Sequence, residues 1–369
     1  MSLVQAQALL EEGIAQGLHL GGQLYVSHDG EVVADLAVGE SRPGRRLRED
    51  DLMLWLSSTK PVAAVAIAQL WERQRLGLDD RITAHLSEFS AGGKEAITVR
   101  HLLTHTGGFR LLDVGWPRES WEAILARICA ARREPRWTPG EKAGYHTASS
   151  WFVLGELVRR LDGRPFERYA REEIFLPLGM GDSWVGMPAA SFDTYGERLV
   201  PMHDTTLRPP AAFDWHTRLH VTRCSPAGGG WGPMRELGRL YEALLGGGTL
   251  DGARLLRPQT VEALVARHRT GLLDHTFKKV MDWGLGFIPN PAVYGDPAVP
   301  YAYGPHASRR AYGHSGNRSS TAFADPIHGL VVALAVNGLP DEERHHERFE
   351  RLMTAIYEDL GLAGGAAVA

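Results

Sequence analysis

The stretch "DLMLWLSSTKPVAAVAIAQLWE", residues 51–72, sets Ser57, Ser58, Thr59 and Lys60 inside an otherwise apolar run. Ser57 and Lys60 stand three apart, a spacing that stacks two side chains on one helix face. Pro61 is tolerated in a first helical turn, so the helix is expected to begin at Ser57 or Ser58. A serine hydroxyl is a poor nucleophile until a base takes its proton. A lysine stripped of water by Trp55, Leu56, Val62 and Ala63 can have its pKa lowered enough to serve. The plainer reading is that Ser57 caps the helix and Lys60 snorkels to the surface. The chain has only five lysines among its 40 basic residues. With seventeen serines in 369 residues, ~0.2 Ser-x-x-Lys matches are expected by chance, so the motif alone does not decide.

Three further segments accompany it in order: "ITVRHLLTHTGGF", "PGEKAGYHTASSWFVLGELVRRLDGRPFERYAREEIFLPLGM" and "RAYGHSGNRSSTAFAD". Together with Ser-x-x-Lys, over about residues 20 to 340, they resemble the serine β-lactamase and penicillin-binding superfamily, particularly its class C-like branch. That branch includes family VIII carboxylesterases, D-alanyl-D-alanine peptidases and several small-molecule acyltransferases. The resemblance implies an α/β (α+β type) protein of the β-lactamase/DD-peptidase-like fold, with an antiparallel sheet flanked by helices plus an all-helical lobe. It implies Ser57 as nucleophile, Lys60 as its partner and Tyr145, in "GYHT", as the phenol of the general-base network. A cation close to that phenol would favour the phenolate. His314-Ser315-Gly316 matches the third motif, and the backbone N–H groups of Ser57 and Asn317 would form an oxyanion hole.

Two residues depart from the family's pattern. Thr147 replaces an asparagine whose amide usually bonds an acylamino group, and a hydroxyl cannot reproduce that two-point contact. His314 replaces a lysine, and an imidazole is mostly neutral at pH 7. Both departures resemble the esterase and acyltransferase members more than those that destroy antibiotics. Three functions stay open: an esterase or amidase, a small-molecule acyltransferase such as serves natural-product biosynthesis, and a non-catalytic ligand-binding member. Neither metal nor organic cofactor is expected, and the partners would be a small-molecule acyl donor and acceptor.

Other clusters carry less. His101 and His105 stand four apart, but Leu102 occupies the place of the glutamate in the zinc-protease motif. "PAGGGWG", residues 226–232, lacks the lysine of a phosphate loop and reads as a glycine-rich turn, with Trp231 a candidate for touching substrate. Arg309, Arg310 and Arg318 surround the third motif, and Arg318 is a candidate for binding an anionic substrate group. His345 and His346 sit among charged residues and read as a solvated helix face.

The elements that must hold these residues are legible in the patterning. "GQLYVSHDGEVVADLAVG" reads as a hairpin turning at His28-Asp29-Gly30, and three strand-like runs lie between about 311 and 338. Helical patterns fall at about 58–76, 119–132, 149–162, 166–175, 234–246 and 259–268, with helices at both chain ends. A single unit over 1–369 is expected, its sheet lobe from about 1–56 and 280–369 and its helical lobe from about 57–279. The segment 186–232 shows no periodicity; its Phe192, Phe213, Trp215 and Trp231 could line an acceptor pocket or pack as core. A net charge of −4 gives no general attraction to nucleic acid or anionic membrane. No apolar run reaches the roughly 18 residues of a membrane span. The N-terminal stretch lacks a basic n-region and carries Glu11 and Glu12, so a cytoplasmic protein with two buried thiols, Cys129 and Cys224, is expected.

Overall fold

A computed structural model describes residues 3–295 and 299–364. Its centre is a seven-stranded sheet in the order Ile288–Pro289, Tyr312–Gly316, Ser320–Asp325, Leu330–Val336, Gly21–His28, Glu31–Arg42, Arg45–Arg46. Every neighbouring pair in it is antiparallel. Strands from the two chain ends therefore meet at the Gly21–His28 and Leu330–Val336 pair, where Leu24 faces Leu334. The hairpin turns through Asp29 and Gly30, both at positive φ (50° and 82°), the backbone twist that a two-residue turn between right-twisted strands requires.

Both faces of the sheet are covered, which explains why "LVVALAV" at 330–336 is apolar throughout rather than alternating. One face packs the terminal helices Val4–Ala15 and Glu342–Asp359, with Leu10, Leu334, Leu352 and Ile356 in one cluster. The other face packs the helix Met234–Leu245 through Leu237 and Leu240. Gly238 of that helix lies against the Tyr25 ring; a Cβ there would sit 2.3 Å from it. Beyond this layer the helices Lys60–Glu72 and Ser149–Asp162 pack together, all but their ends buried.

The expected helix at 58–76 begins as a 3₁₀ turn, Leu56–Thr59, and becomes α-helical over Lys60–Glu72. The pattern at 166–175 splits into an α-helical turn, Phe166–Ala170, and a π-helical turn, Arg171–Phe175. The aperiodic segment 186–232 is ordered by long-range pairing: Gly230–Gly232 bonds between Met53–Leu54 and Trp184–Val185, and His203–Asp204 pairs with Gly338–Leu339. Phe192, Phe213 and Trp215 pack there with Leu52, Met187 and Leu199 as a satellite core. Cys129 is buried and Cys224 half-buried, and both are free thiols. No helix among the described residues is long and apolar enough to cross a membrane.

Candidate active site

Ser57 follows a constrained turn. The residue before it, Leu56, takes φ +49°, a left-handed conformation that costs a bulky side chain energy and persists only where surroundings impose it. Those surroundings are visible. Trp55 donates its N–H to Gly230 O (2.8 Å) and its indole N–H to Gly232 O (3.0 Å). Its carbonyl accepts from the Ser320 hydroxyl (2.6 Å). Two sheets thus grip Trp55 and set the direction in which the helix leaves. Gly316 closes on the same turn: a Cβ there would lie 2.5 Å from Trp55 O and 2.8 Å from Leu56 Cβ. Ser57 is partly exposed, whereas Ser58 is buried, its hydroxyl donating to His314 O (3.1 Å) and lying 3.1 Å from Ser320 Oγ. Ser58 ties the helix start to the strand Tyr312–Gly316, and Ser57 faces outward.

Lys60 Nζ lies 3.0 Å from Ser57 Oγ and donates to Ala227 O (2.6 Å). Its side chain is fully buried between the rings of Tyr145 and Trp151, 5.1 and 5.6 Å from their centroids. Burial pushes its pKa well below 10.5, so the neutral amine is favoured. Lys94 shows that burial alone does not mark such a site. It too is buried, but its ammonium donates to three carbonyls, of Ala91, Cys129 and Ala131. Lys60 satisfies one carbonyl and turns to a hydroxyl.

Tyr145 is 5% exposed, and its hydroxyl makes no hydrogen bond of good geometry. Burial, aided by the neighbouring Tyr301 phenol, holds its pKa well above 10, with the Ser57 hydroxyl working against the rise. Of the two expected forms, phenolate or shared-proton network, burial works against the phenolate. Where both groups leave water, a neutral amine beside a neutral phenol costs less than an ion pair without further partners. His314 is fully buried and its pKa falls to about 3, through burial and then Lys60. Its Nδ1 lies 2.9 Å from Ser315 O, and its ring stands 6.2 Å from those of Tyr145 and Tyr301. It is a neutral floor of the site.

Ser57, Lys60, Tyr145, His314 and Gly316 come together from three separate segments. Thr147 and Asn317 are exposed nearby in sequence, and Ser315 is buried with its hydroxyl donating to Thr321 Oγ1 (2.9 Å). Two expectations are corrected. Trp231 is 1% exposed, locked into the satellite core by the strand Gly230–Gly232, and presents no surface to a ligand. Arg318 donates to Pro340 O (2.8 Å) and lies 3.6 Å from the Glu342 carboxylate, so its charge is spent on the start of the C-terminal helix. His345 also departs from the solvated face expected of it. It is 7% exposed and lines a cavity of about 280 Å³ with Val299, Tyr301, Ala302, Ser315 and Phe349. His101 closes a capping box with Thr98.

Sequence reasoning missed Tyr301, Trp283 and Ala227. Trp283 stands 5.7 Å from Tyr145 and 4.6 Å from His105, ring to ring. The only signal for Tyr301 is its φ of +64°, which no sequence displays. Ala227 acts through its carbonyl, and any residue has one.

The beta-lactamase family profile matches residues 6–355. Esterase EstB of Burkholderia gladioli is 27% identical over 374 residues, covering 89% of this chain and 89% of that protein. A crystal structure of a family VIII carboxylesterase superposes with a TM-score of 0.80 at 26% identity, covering 96% of this chain and 97% of the other. A penicillin-binding protein homologue from Caulobacter crescentus does so with a TM-score of 0.75 at 28% identity, covering 96% and 97%. An antiparallel sheet closing on a Ser-x-x-Lys helix start, with a profile match over nearly its whole length, places this chain in the beta-lactamase family.

Proposed function

We propose that the protein is a serine acyl hydrolase acting on a small-molecule ester or amide through a Ser57 acyl-enzyme. The observation that carries this is the 3.0 Å approach of Ser57 Oγ to the buried Lys60 amine, whose pKa burial lowers. A neutral Lys60 has a lone pair, so it takes the Ser57 proton as Oγ attacks the carbonyl. The backbone N–H groups of Ser57 and Asn317 receive the oxyanion. The Tyr145 phenol then gives its proton to the departing alcohol or amine and recovers one from the Lys60 ammonium. Water repeats the sequence on the acyl-enzyme and releases the acid. A neutral His314 offers no cation to an acidic substrate group, which favours simple esters over carboxylated ones.

A second reading, transfer of the acyl group to an alcohol or amine, draws on the cavity beside Ser315, whose Val299, Tyr301, Ala302 and Phe349 offer an apolar seat. One experiment addresses both. The protein is incubated with p-nitrophenyl acetate, with and without millimolar alcohols and amines, and acid and transfer product are quantified. Ser57-dependent release of acid is expected, with Ser57→Ala abolishing both turnover and fluorophosphonate labelling. Labelling that persists in Ser57→Ala would remove the assignment. Saturable transfer to one acceptor class would establish the second reading.

A further inference from the structure

Tyr145 lies in an irregular segment, 131–148, and its hydroxyl makes no hydrogen bond of good geometry that would fix it. Catalytic geometry demands placement to within about 0.5 Å, so something must fix this residue. The hairpin formed by Leu273–Asp274 and Lys279–Val280 grips it on three sides. The Tyr145 N–H donates to Asp274 Oδ1 (3.1 Å) and its carbonyl accepts from Thr276 Oγ1 (3.1 Å). Its ring packs on Phe277 with 5.0 Å between centroids. Two residues earlier, the Ala143 carbonyl accepts from His275 N (2.9 Å). Asp274 is itself held. Its Oδ1 also accepts the N–H groups of Thr276 (2.8 Å) and Phe277 (3.1 Å), and its Oδ2 accepts from Arg269 Nη2 (3.0 Å). Arg269 and Asp274 are both buried, and Arg269 donates further to Thr104 O and Met281 O. An ion pair removed from water is retained at a cost unless every lone pair and proton is used, and here nearly all are.

We infer that the 273–280 hairpin, anchored by the Arg269–Asp274 pair, is the positioning device for Tyr145, with Asp274 and Thr276 as positioning residues that never touch substrate. The inference rests on the acyl-transfer reading for its catalytic consequence and on geometry alone for the clamp. The test uses Thr276→Val, which removes one hydroxyl at constant shape, and Thr276→Ser, which restores it. Thr276→Val is expected to lower kcat on p-nitrophenyl acetate about tenfold with KM within about twofold, since one misplaced group acts on the transition state. Thr276→Ser should return to wild-type kcat. Hydrogen exchange, which needs no activity, should show residues 143–147 of Thr276→Val exchanging at least about tenfold faster while the helix Lys60–Glu72 is unchanged. Asp274→Ala should do the same more severely, and exchange reads its effect even where turnover is lost. Unchanged exchange at 143–147, an unchanged kcat, or a loss carried by KM would overturn the inference. The expected exchange contrast between Thr276→Val and wild type, together with a wild type that turns over no ester, would overturn the catalytic reading and leave the clamp standing.

Discussion

At the scale of single residues, the site works by withholding charge. Lys60, Tyr145 and His314 are all driven toward their neutral forms by burial, the starting state the proposed mechanism needs. Lysine's folded pKa lies below its ordinary 10.5, so the free amine exists above that lowered value and is lost as pH falls through it. The kcat/KM profile should therefore show an acid limb well below 10.5, and Lys60→Ala should remove the limb with the activity. Lys60→Ala and Tyr145→Phe should each lower kcat by about 10³-fold, the double variant being little worse than either, because groups passing one proton fail as a unit. Losses that multiplied would separate the two residues. Ser58→Ala is the control: it should cost about 1–2 kcal/mol in denaturant melts through its lost hydrogen bonds, yet keep fluorophosphonate labelling.

At the scale of elements, catalytic geometry depends on a close approach between the strand Tyr312–Gly316 and the turn at Leu56. Gly316 permits that approach, since an added Cβ would meet the Ser320 hydroxyl at 2.3 Å and the Trp55 carbonyl at 2.5 Å. The backbone atom cannot give way as a side-chain tip can. Gly316→Ala should therefore push the strand from the helix start, costing about 1–3 kcal/mol of stability and a larger share of activity than of folding. Steady-state kinetics beside chemical denaturation would check this; unchanged kcat would mean that the strand tolerates displacement. The Leu56 strain belongs to the same scale, because the Gly230–Gly232 and Ser320–Asp325 strands impose it from either side.

At the scale of the molecule, buried imidazoles make folding sensitive to acid. His19, His146 and His314 each have folded pKa values of about 3, lowered first by burial. Between 6.5 and 3 the unfolded chain binds protons that the folded chain refuses, so stability is fully present above about 6.5 and falls as pH drops. Each group contributes at most ~1.4 kcal/mol per pH unit to that slope. His19 is the clearest case. Its Nδ1 lies 3.0 Å from Arg348 Nη1 and its Nε2 3.0 Å from Leu10 O, so a second ring proton would face a guanidinium. His19→Gln keeps a donor and an acceptor without titrating. Urea melts at pH 7 and pH 5.5 should show a shallower loss in this variant than in the wild type; parallel losses would exclude His19 as a contributor.

What the sequence determined by itself is the chemistry and the outline. Ser-x-x-Lys in an apolar run, the Asp29-Gly30 turn, the strand runs of 311–338 and the helix at 149–162 are local signals, because side-chain spacing and turn preference act within a few residues. The tertiary structure alone decided burial and hydrogen-bond partnership. Lys60 and Lys94 are both buried, and packing turns one toward the Ser57 hydroxyl and the other onto three carbonyls. Trp231 and Arg318 carry the right side chains for binding but spend them on core and helix contacts. Tyr145 is held by Asp274, 129 residues away in the chain. Such pairings are set by long-range closure, where burial and charge act through space and sequence distance carries no information about them.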